Sequence, residues 1–128
     1  MDWAKLRHFE EWEFTCRCGC GQTKMDEEYL WLLDELRSRT GVGFTINSGF
    51  RCTTYDTSIG GAGIHPLGKA ADIALSGDPV WEAVAHARKL GFMGCGLKQH
   101  GHHSGRFVHF DTAPATPTRP RKWLWTYG

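Results

Sequence analysis

Two histidines and an aspartate in the second half of the chain have the types and spacing that best suit metal chemistry. His65 precedes Asp72 by seven residues in the segment HPLGKAAD, and His109 lies in the segment RFVHFD. Side chains alternate along a strand, so Phe107, His109 and Asp111 are expected on one face. Two imidazoles and one carboxylate suit Zn²⁺ and leave a fourth position for water. The spacing alone fits one catalytic zinc ion and a set of polar histidines scattered near turns equally well.

The elements before this group are predicted from apolar spacing. A helix is expected from about Asp26 to Thr40, ended by Gly41. Its buried face has apolar residues at intervals of three and four, namely Tyr29, Leu30, Leu33 and Leu36. Residues 44–48 predict a strand, followed by a glycine-rich loop over 49–68.

The helices and strands predicted after this loop do not follow a regular β-α-β order. Residues 70–75 predict a buried strand, and SGDP at 76–79 predicts a helix start, with Asp78 capping and a proline in the first turn. That helix should end at Gly91. Residues 92–97 and 106–111 predict two strands around a loop rich in glycine and histidine. This order favours an α+β fold with a small antiparallel sheet and two main helices, in one domain spanning residues 1–128.

The two ends of the chain are predicted to pack through aromatic residues. Residues 1–24 are expected to be irregular, with the anchors Trp3, Phe9, Trp12 and Phe14. The proline-rich tail ends in Trp-Leu-Trp at 123–125, which is expected to dock against the body. One or two of the six tryptophans could instead lie beside a cleft and stack on a ligand.

Composition excludes several classes of protein. The chain has 128 residues, with 15 basic and 14 acidic residues and a formal net charge of +1. This balance is far from the basic footprint of a nucleic-acid-binding protein, and no apolar run is long enough to span a membrane. The charged, aromatic N-terminus lacks the features of a signal peptide, so synthesis in a cytoplasm is expected.

Several motifs resemble those of the M15 zinc peptidases, which include D-alanyl-D-alanine carboxypeptidases and phage murein endopeptidases. They are SGFR at 48–51, GGA at 60–62, the spacing of His65 and Asp72, and FVHFD at 107–111. The opening FTCRCGCG at 14–21 and the tail at 119–127 are similar to the small M15 branch of phages and bacteria. The likeness spans nearly the whole chain in the family order.

The resemblance implies a fold shared with the hedgehog signalling domain and a Zn²⁺ held by His65, Asp72 and His109. It also implies that Arg51 holds substrate and stabilises the developing oxyanion. A surface ion pair is the alternative role for Arg51.

The residue that transfers protons in many family members has no counterpart in this chain. Many members have Glu or Asp three residues before the last zinc histidine, where this chain has Arg106. Two candidates for the base remain, Asp111 and His103. Asp111 could instead only orient Arg51 or His109, and His103 could be a solvated loop histidine.

The cysteines suggest two alternatives. Cys16, Cys18 and Cys20 could bind a second, structural metal together with Cys52, although the spacing C-x-C is tighter than is usual in zinc sites. The favoured interpretation is that they are buried, reduced and act as small apolar residues. Five cysteines without a secretion signal argue against a complete disulfide framework.

These observations predict a zinc peptidase, a carboxypeptidase or an endopeptidase, whose partner is a peptidoglycan stem peptide. A monomer encoded by a phage or prophage is expected, reaching the cell wall after holin-type release or from a virion. The alternative is a catalytically inactive module of the same fold that retains zinc and binds the cell wall or has a structural role.

Overall fold

Five strands and three helices make up the regular structure in the computed structural model, which describes residues 1–128. The helices are α1 (Glu27–Thr40), α2 (Thr53–Ser58) and α3 (Asp78–Leu90). The strands are β1 (Thr45–Ser48), β2 (Ala70–Ala74), β3 (Gly94–Lys98), β4 (Phe107–Asp111) and β5 (Trp123–Thr126). They form one sheet in the order β1-β2-β4-β3-β5. The predicted α+β class is confirmed.

The two long helices cover one face of this sheet, and the apolar pattern of α1 explains how. The Asp26 carboxylate caps α1 by accepting from the Tyr29 backbone amide, and Gly41 ends it in the left-handed conformation. The predicted face of α1 is fully buried, and α1 packs against α3. The Tyr29 hydroxyl donates to the carbonyl of Phe110 on β4 at 2.9 Å, which ties α1 to the strand that also carries His109.

Two local predictions are wrong. The expected loop over 49–68 contains the helix α2, which is too short to show apolar periodicity. The Cys52 sulfur caps its first turn by accepting from the Tyr55 amide. Asp78 is the first residue of α3 rather than its cap; Gly77 is the cap and supplies no side-chain bond. Glycine has no side chain that could cap the helix, and it readily adopts the φ of 75° found at this turn.

The register of the central strands brings the chemistry-bearing residues together. β2 and β4 are antiparallel neighbours, and in their register Asp72 lies opposite His109. The β1 strand pairs with the other edge of β2, with Ser48 opposite Asp72. The end of β1, the middle of β2 and the middle of β4 therefore meet at one place on the sheet.

The C-terminal tail docks against the body, as predicted, but it does so as an additional strand of the sheet. β5 pairs with β3 in parallel, with Trp125 opposite Gly96, so the sheet has one parallel edge in addition to its antiparallel pairs. Not every aromatic residue is an anchor: Trp12 is 67% exposed and Trp81 is 80% exposed, whereas Phe9 and Phe14 are buried. No helix has both the length and the apolar character needed to cross a membrane.

The N-terminal segment reaches the same part of the sheet through Phe14. The amide of Phe50 donates to the carbonyl of Phe14 at 2.9 Å. A Cβ atom on Gly49 would lie 2.7 Å from the Phe14 Cα atom, which is backbone and cannot rotate away. The absence of a side chain at Gly49 is therefore required for the segment to pack beside the end of β1.

Replacing Gly49 by Ala should lower the free energy of unfolding by about 1–3 kcal/mol, the usual cost of overpacking, because the two backbones must separate. The measurement is urea-induced unfolding. Gly43→Ala is the matched control, since nothing lies within 4 Å of a Cβ atom there, and a change within about 0.5 kcal/mol is expected. Equal effects of the two substitutions would contradict this account of the packing.

Candidate metal centre

His65, Asp72 and His109 form a buried cluster whose ligand atoms all lie within 4.8 Å of one another. The Nδ1 atom of His109 lies 3.0 Å from Asp72 Oδ1. The Nε2 atom of His65 lies 3.5 Å from the same oxygen. One carboxylate oxygen therefore faces two imidazole nitrogens, an arrangement that suits a shared metal.

Hydrogen bonds on the far side of each ring leave the facing nitrogen free to bind a metal when the ring is neutral. His65 Nδ1 lies 2.8 Å from the carbonyl oxygen of Gly49, which can only accept, so Nδ1 carries the proton. His109 Nε2 lies 2.7 Å from Asp111 Oδ2 and donates to that carboxylate. When both rings are neutral, their lone pairs converge with Asp72 Oδ1 on one point, where a cation would bind. In its protonated form, His109 instead donates to Asp72 through Nδ1. The donor set fits Zn²⁺, for which two imidazoles and a carboxylate are common ligands.

The pKa values of Asp72 and His109 are shifted in the directions that place a negative charge on Asp72 and a positive charge beside it. Burial by itself raises the pKa of Asp72, but hydrogen bonds from His109 and His65 outweigh it and hold the pKa well below its usual range. Burial lowers the pKa of His109, whereas its hydrogen bonds to Asp111 and Asp72 raise it, and the net direction is upward. Asp72 is therefore an anion that attracts a cation to this position.

Arg51 lies beside the cluster and is held by three polar groups. Its Nε donates to the Ser48 hydroxyl at 3.0 Å, Nη1 to Asp56 Oδ1 at 3.0 Å and Nη2 to Asp72 Oδ2 at 3.2 Å. Its side chain is 14% exposed and lines the cleft described below. A guanidinium has five N–H donors, so two remain for a ligand in the cleft.

Asp56 is a residue that the sequence analysis missed. It is buried in α2, and its second oxygen accepts from the Gly63 amide at 3.0 Å. It thereby fixes both Arg51 and the turn that leads to His65. The signal in the sequence is an acidic residue five positions after the arginine of SGFR, but a surface helix residue has the same appearance.

Asp111 is fully buried and its oxygens are already engaged. Oδ2 accepts from His109, while Oδ1 accepts from the Ala113 amide at 3.1 Å and forms an ion pair with Arg121. Asp111 does not line the cleft. Its contacts are those of a residue that orients His109, one of the two roles weighed for it from the sequence.

His103 lies on an exposed turn at 103–105, with Nδ1 3.3 Å from the Ser76 hydroxyl. It is not among the residues that line the cleft. The structure brings together Arg51, Asp111 and the three predicted metal ligands, but it does not bring His103 to them.

A cleft of about 480 Å³ opens over the cluster, and the C-terminal tail forms much of its wall. Seven of its 17 lining residues come from the tail, including Arg119, Trp123, Trp125 and Tyr127. The Trp125 ring packs on His109, with 5.2 Å between ring centroids. Two of the six tryptophans thus lie beside the cleft, as the sequence analysis allowed. Asp72 is the sole carboxylate on the cleft wall.

Replacing Asp111 by Asn should weaken zinc binding at this centre about 10- to 100-fold, because the group that orients His109 loses its charge. Competition with a chelator of known affinity measures the change. Asp78→Asn, an exposed acid-to-amide change at the start of α3, is the control and should leave the affinity unchanged. Unaltered affinity in the Asp111 variant would show that this contact does not position the ligand.

A comparison with known protein families agrees with this geometry. The sequence model described as Peptidase M15 matches residues 7–111, which contain Arg51 and all three candidate ligands. No curated protein is significantly similar to the chain. M15 peptidases are zinc-dependent, and the matched part covers most of the 128 residues. The chain is therefore a member of the peptidase M15 family, a family of metallopeptidases.

Proposed function

We propose that the protein is a zinc peptidase that hydrolyses peptide bonds in the stem peptides or cross-links of peptidoglycan. The observation that carries the proposal is the convergence of His65, Asp72 and His109 on one point at the base of an open cleft, with Arg51 beside them. A structural zinc site is normally closed by four protein ligands, whereas a catalytic site keeps a position open for water. Three ligands on a cleft wall favour the catalytic kind.

Each side chain has a separate task in this proposal. His65, Asp72 and His109 hold the ion, and Gly49 and Asp111 fix the two imidazole rings through the hydrogen bonds on their far sides. When bound, Zn²⁺ supplies Lewis-acid polarisation of the scissile carbonyl and makes water more acidic. The free N–H groups of Arg51 bind the substrate oxygen on which negative charge develops.

The walls of the cleft support an anionic peptide as the substrate. Arg51 and Arg119 present guanidinium groups, and a third arginine of the cleft, Arg121, is already paired with Asp111. Guanidinium groups bind carboxylates in a planar, bidentate manner, and the stem peptides of peptidoglycan carry free carboxylates. Trp123 and Trp125 add flat apolar surfaces for the peptide backbone and small side chains.

One observation favours a second candidate, a zinc-containing module that binds the cell wall without cleaving it. The cleft has no carboxylate besides Asp72, and Arg106 occupies the position at which many family members carry the catalytic acid. The two candidates for the base that the sequence offers, Asp111 and His103, do not line the cleft. For Asp111 we propose a positioning role through His109.

We further propose that the protein acts as a monomer, and that a phage or prophage encodes it. In this proposal it is made in a cytoplasm and reaches the cell wall after holin-type release or as part of a virion.

Incubation of the zinc-loaded protein with purified peptidoglycan fragments should produce new peptide fragments, which mass spectrometry identifies together with the bond cleaved. Removal of the metal with EDTA should abolish the products, because the polarisation of the carbonyl depends on it. Addition of Zn²⁺ after removal of the chelator should restore them. Intact fragments in the presence of bound zinc would support the non-catalytic module instead.

Arg51→Lys should lower kcat/KM about 10²- to 10³-fold, the usual effect of losing one donor to a developing oxyanion. Lysine keeps the charge but cannot hold Ser48, Asp56 and Asp72 at once in the planar arrangement of the guanidinium. The zinc content must be measured in the same sample, since Arg51 also contacts Asp72. Arg88→Lys, on the exposed face of α3, is the control. A variant with full zinc and undiminished turnover would remove Arg51 from the catalytic group.

A further inference from the structure

Four of the five cysteines lie together on the side of the Arg51 loop that faces the N-terminal segment. The Sγ atoms of Cys16, Cys18, Cys20 and Cys52 are all within 4.8 Å of one another, and none of these cysteines forms a disulfide. Cys18 and Cys20 are exposed. The expectation that these cysteines are buried apolar residues is therefore wrong for these two, and their proximity requires another explanation.

The separations of the sulfur atoms match those of a tetrahedral metal–thiolate centre. Four sulfurs at about 2.3 Å from a central Zn²⁺ lie about 3.8 Å from each other. The Sγ atom of Cys18 lies 3.5 Å from that of Cys16 and 3.8 Å from that of Cys52. One sulfur thus has two neighbours at nearly this distance, whereas a disulfide would pair it with only one of them.

The backbone around the cysteines directs the sulfurs inwards. Gly19 adopts the left-handed conformation at φ 92°, so the chain turns tightly between Cys18 and Cys20. This turn lets three cysteines at alternate positions face a common point despite the short C-x-C spacing. The fourth, Cys52, comes from a segment more than thirty positions away in the sequence.

Nitrogen donors surround the sulfurs, as in sites that hold thiolates. The Cys52 amide donates to Cys16 Sγ, the Tyr55 amide to Cys52 Sγ and the Gln22 side-chain amide to Cys20 Sγ, each at 3.4 Å. Hydrogen bonds of this kind disperse the negative charge of ligand sulfurs and orient them.

We propose that Cys16, Cys18, Cys20 and Cys52 bind a second zinc ion, a structural one, that joins the N-terminal segment to the loop carrying Arg51. Four thiolates in a tetrahedral arrangement select soft metals such as zinc, and four protein ligands close the site to substrate. Cys52 follows Arg51 directly and also caps α2, which carries Asp56. The ion thereby fixes the loop from which Gly49 reaches His65 and Arg51 reaches Asp72.

Zinc content per chain, measured by elemental mass spectrometry after loading and desalting, tests this proposal without using activity. The wild-type protein should hold two zinc ions, and Cys18→Ser combined with Cys52→Ser should hold one. Cys95→Ala is the matched control, since Cys95 lies on β3 outside the cluster, and it should retain two. The same zinc content in the wild type and in the double cysteine variant would overturn the proposal.

A second variant keeps the test decisive if the cysteine variant does not fold. His65→Ala combined with His109→Ala removes two ligands of the first centre and should still bind one metal ion. Loaded with Co²⁺, that variant should show the intense near-ultraviolet charge-transfer absorption of a cobalt–thiolate centre. Absence of that absorption, or disulfide bonds among the four cysteines in the purified protein, would refute the structural site. Neither outcome depends on whether the protein cleaves peptidoglycan.

Discussion

The carboxylate of Asp72 is the group on which the rest of the site depends. Oδ1 faces the two imidazoles and Oδ2 accepts from Arg51. A buried carboxylate is costly unless several donors or a cation compensate for its lost hydration. The surrounding elements supply this compensation: β4 brings His109, the loop after α2 brings His65 and the segment between β1 and α2 brings Arg51.

This constraint explains why so many neighbouring groups are themselves held in place. Asp56 fixes Arg51, Gly49 fixes His65 and Asp111 fixes His109, while Arg121 from the tail neutralises Asp111. Each contact limits the orientation of a side chain that touches the metal or the cleft. A centre whose ligands are held by neighbouring groups in this way is preorganised for the ion.

Some features could be predicted because they are local. The apolar periodicity of α1 and the alternation on β4 are set by neighbours a few positions away. Tyr29 was therefore assigned correctly to a buried face, and His109 could be named as a candidate ligand. The helix α2 was missed because six polar residues carry no periodic signal. The role of Asp56 was missed because its partner Arg51 is on a different segment.

The sequence alone determined the fold class, the two main helices and, through the family motifs, the candidate ligands, because these follow from short-range patterns. Tertiary structure decided which atoms meet. It placed β5 in parallel beside β3, which makes the tail a wall of the cleft, and it left His103 on an exposed turn. It also gathered Cys52 with the three cysteines of the N-terminal loop. These outcomes depend on strand pairing and on contacts between segments distant in sequence, which no local pattern encodes.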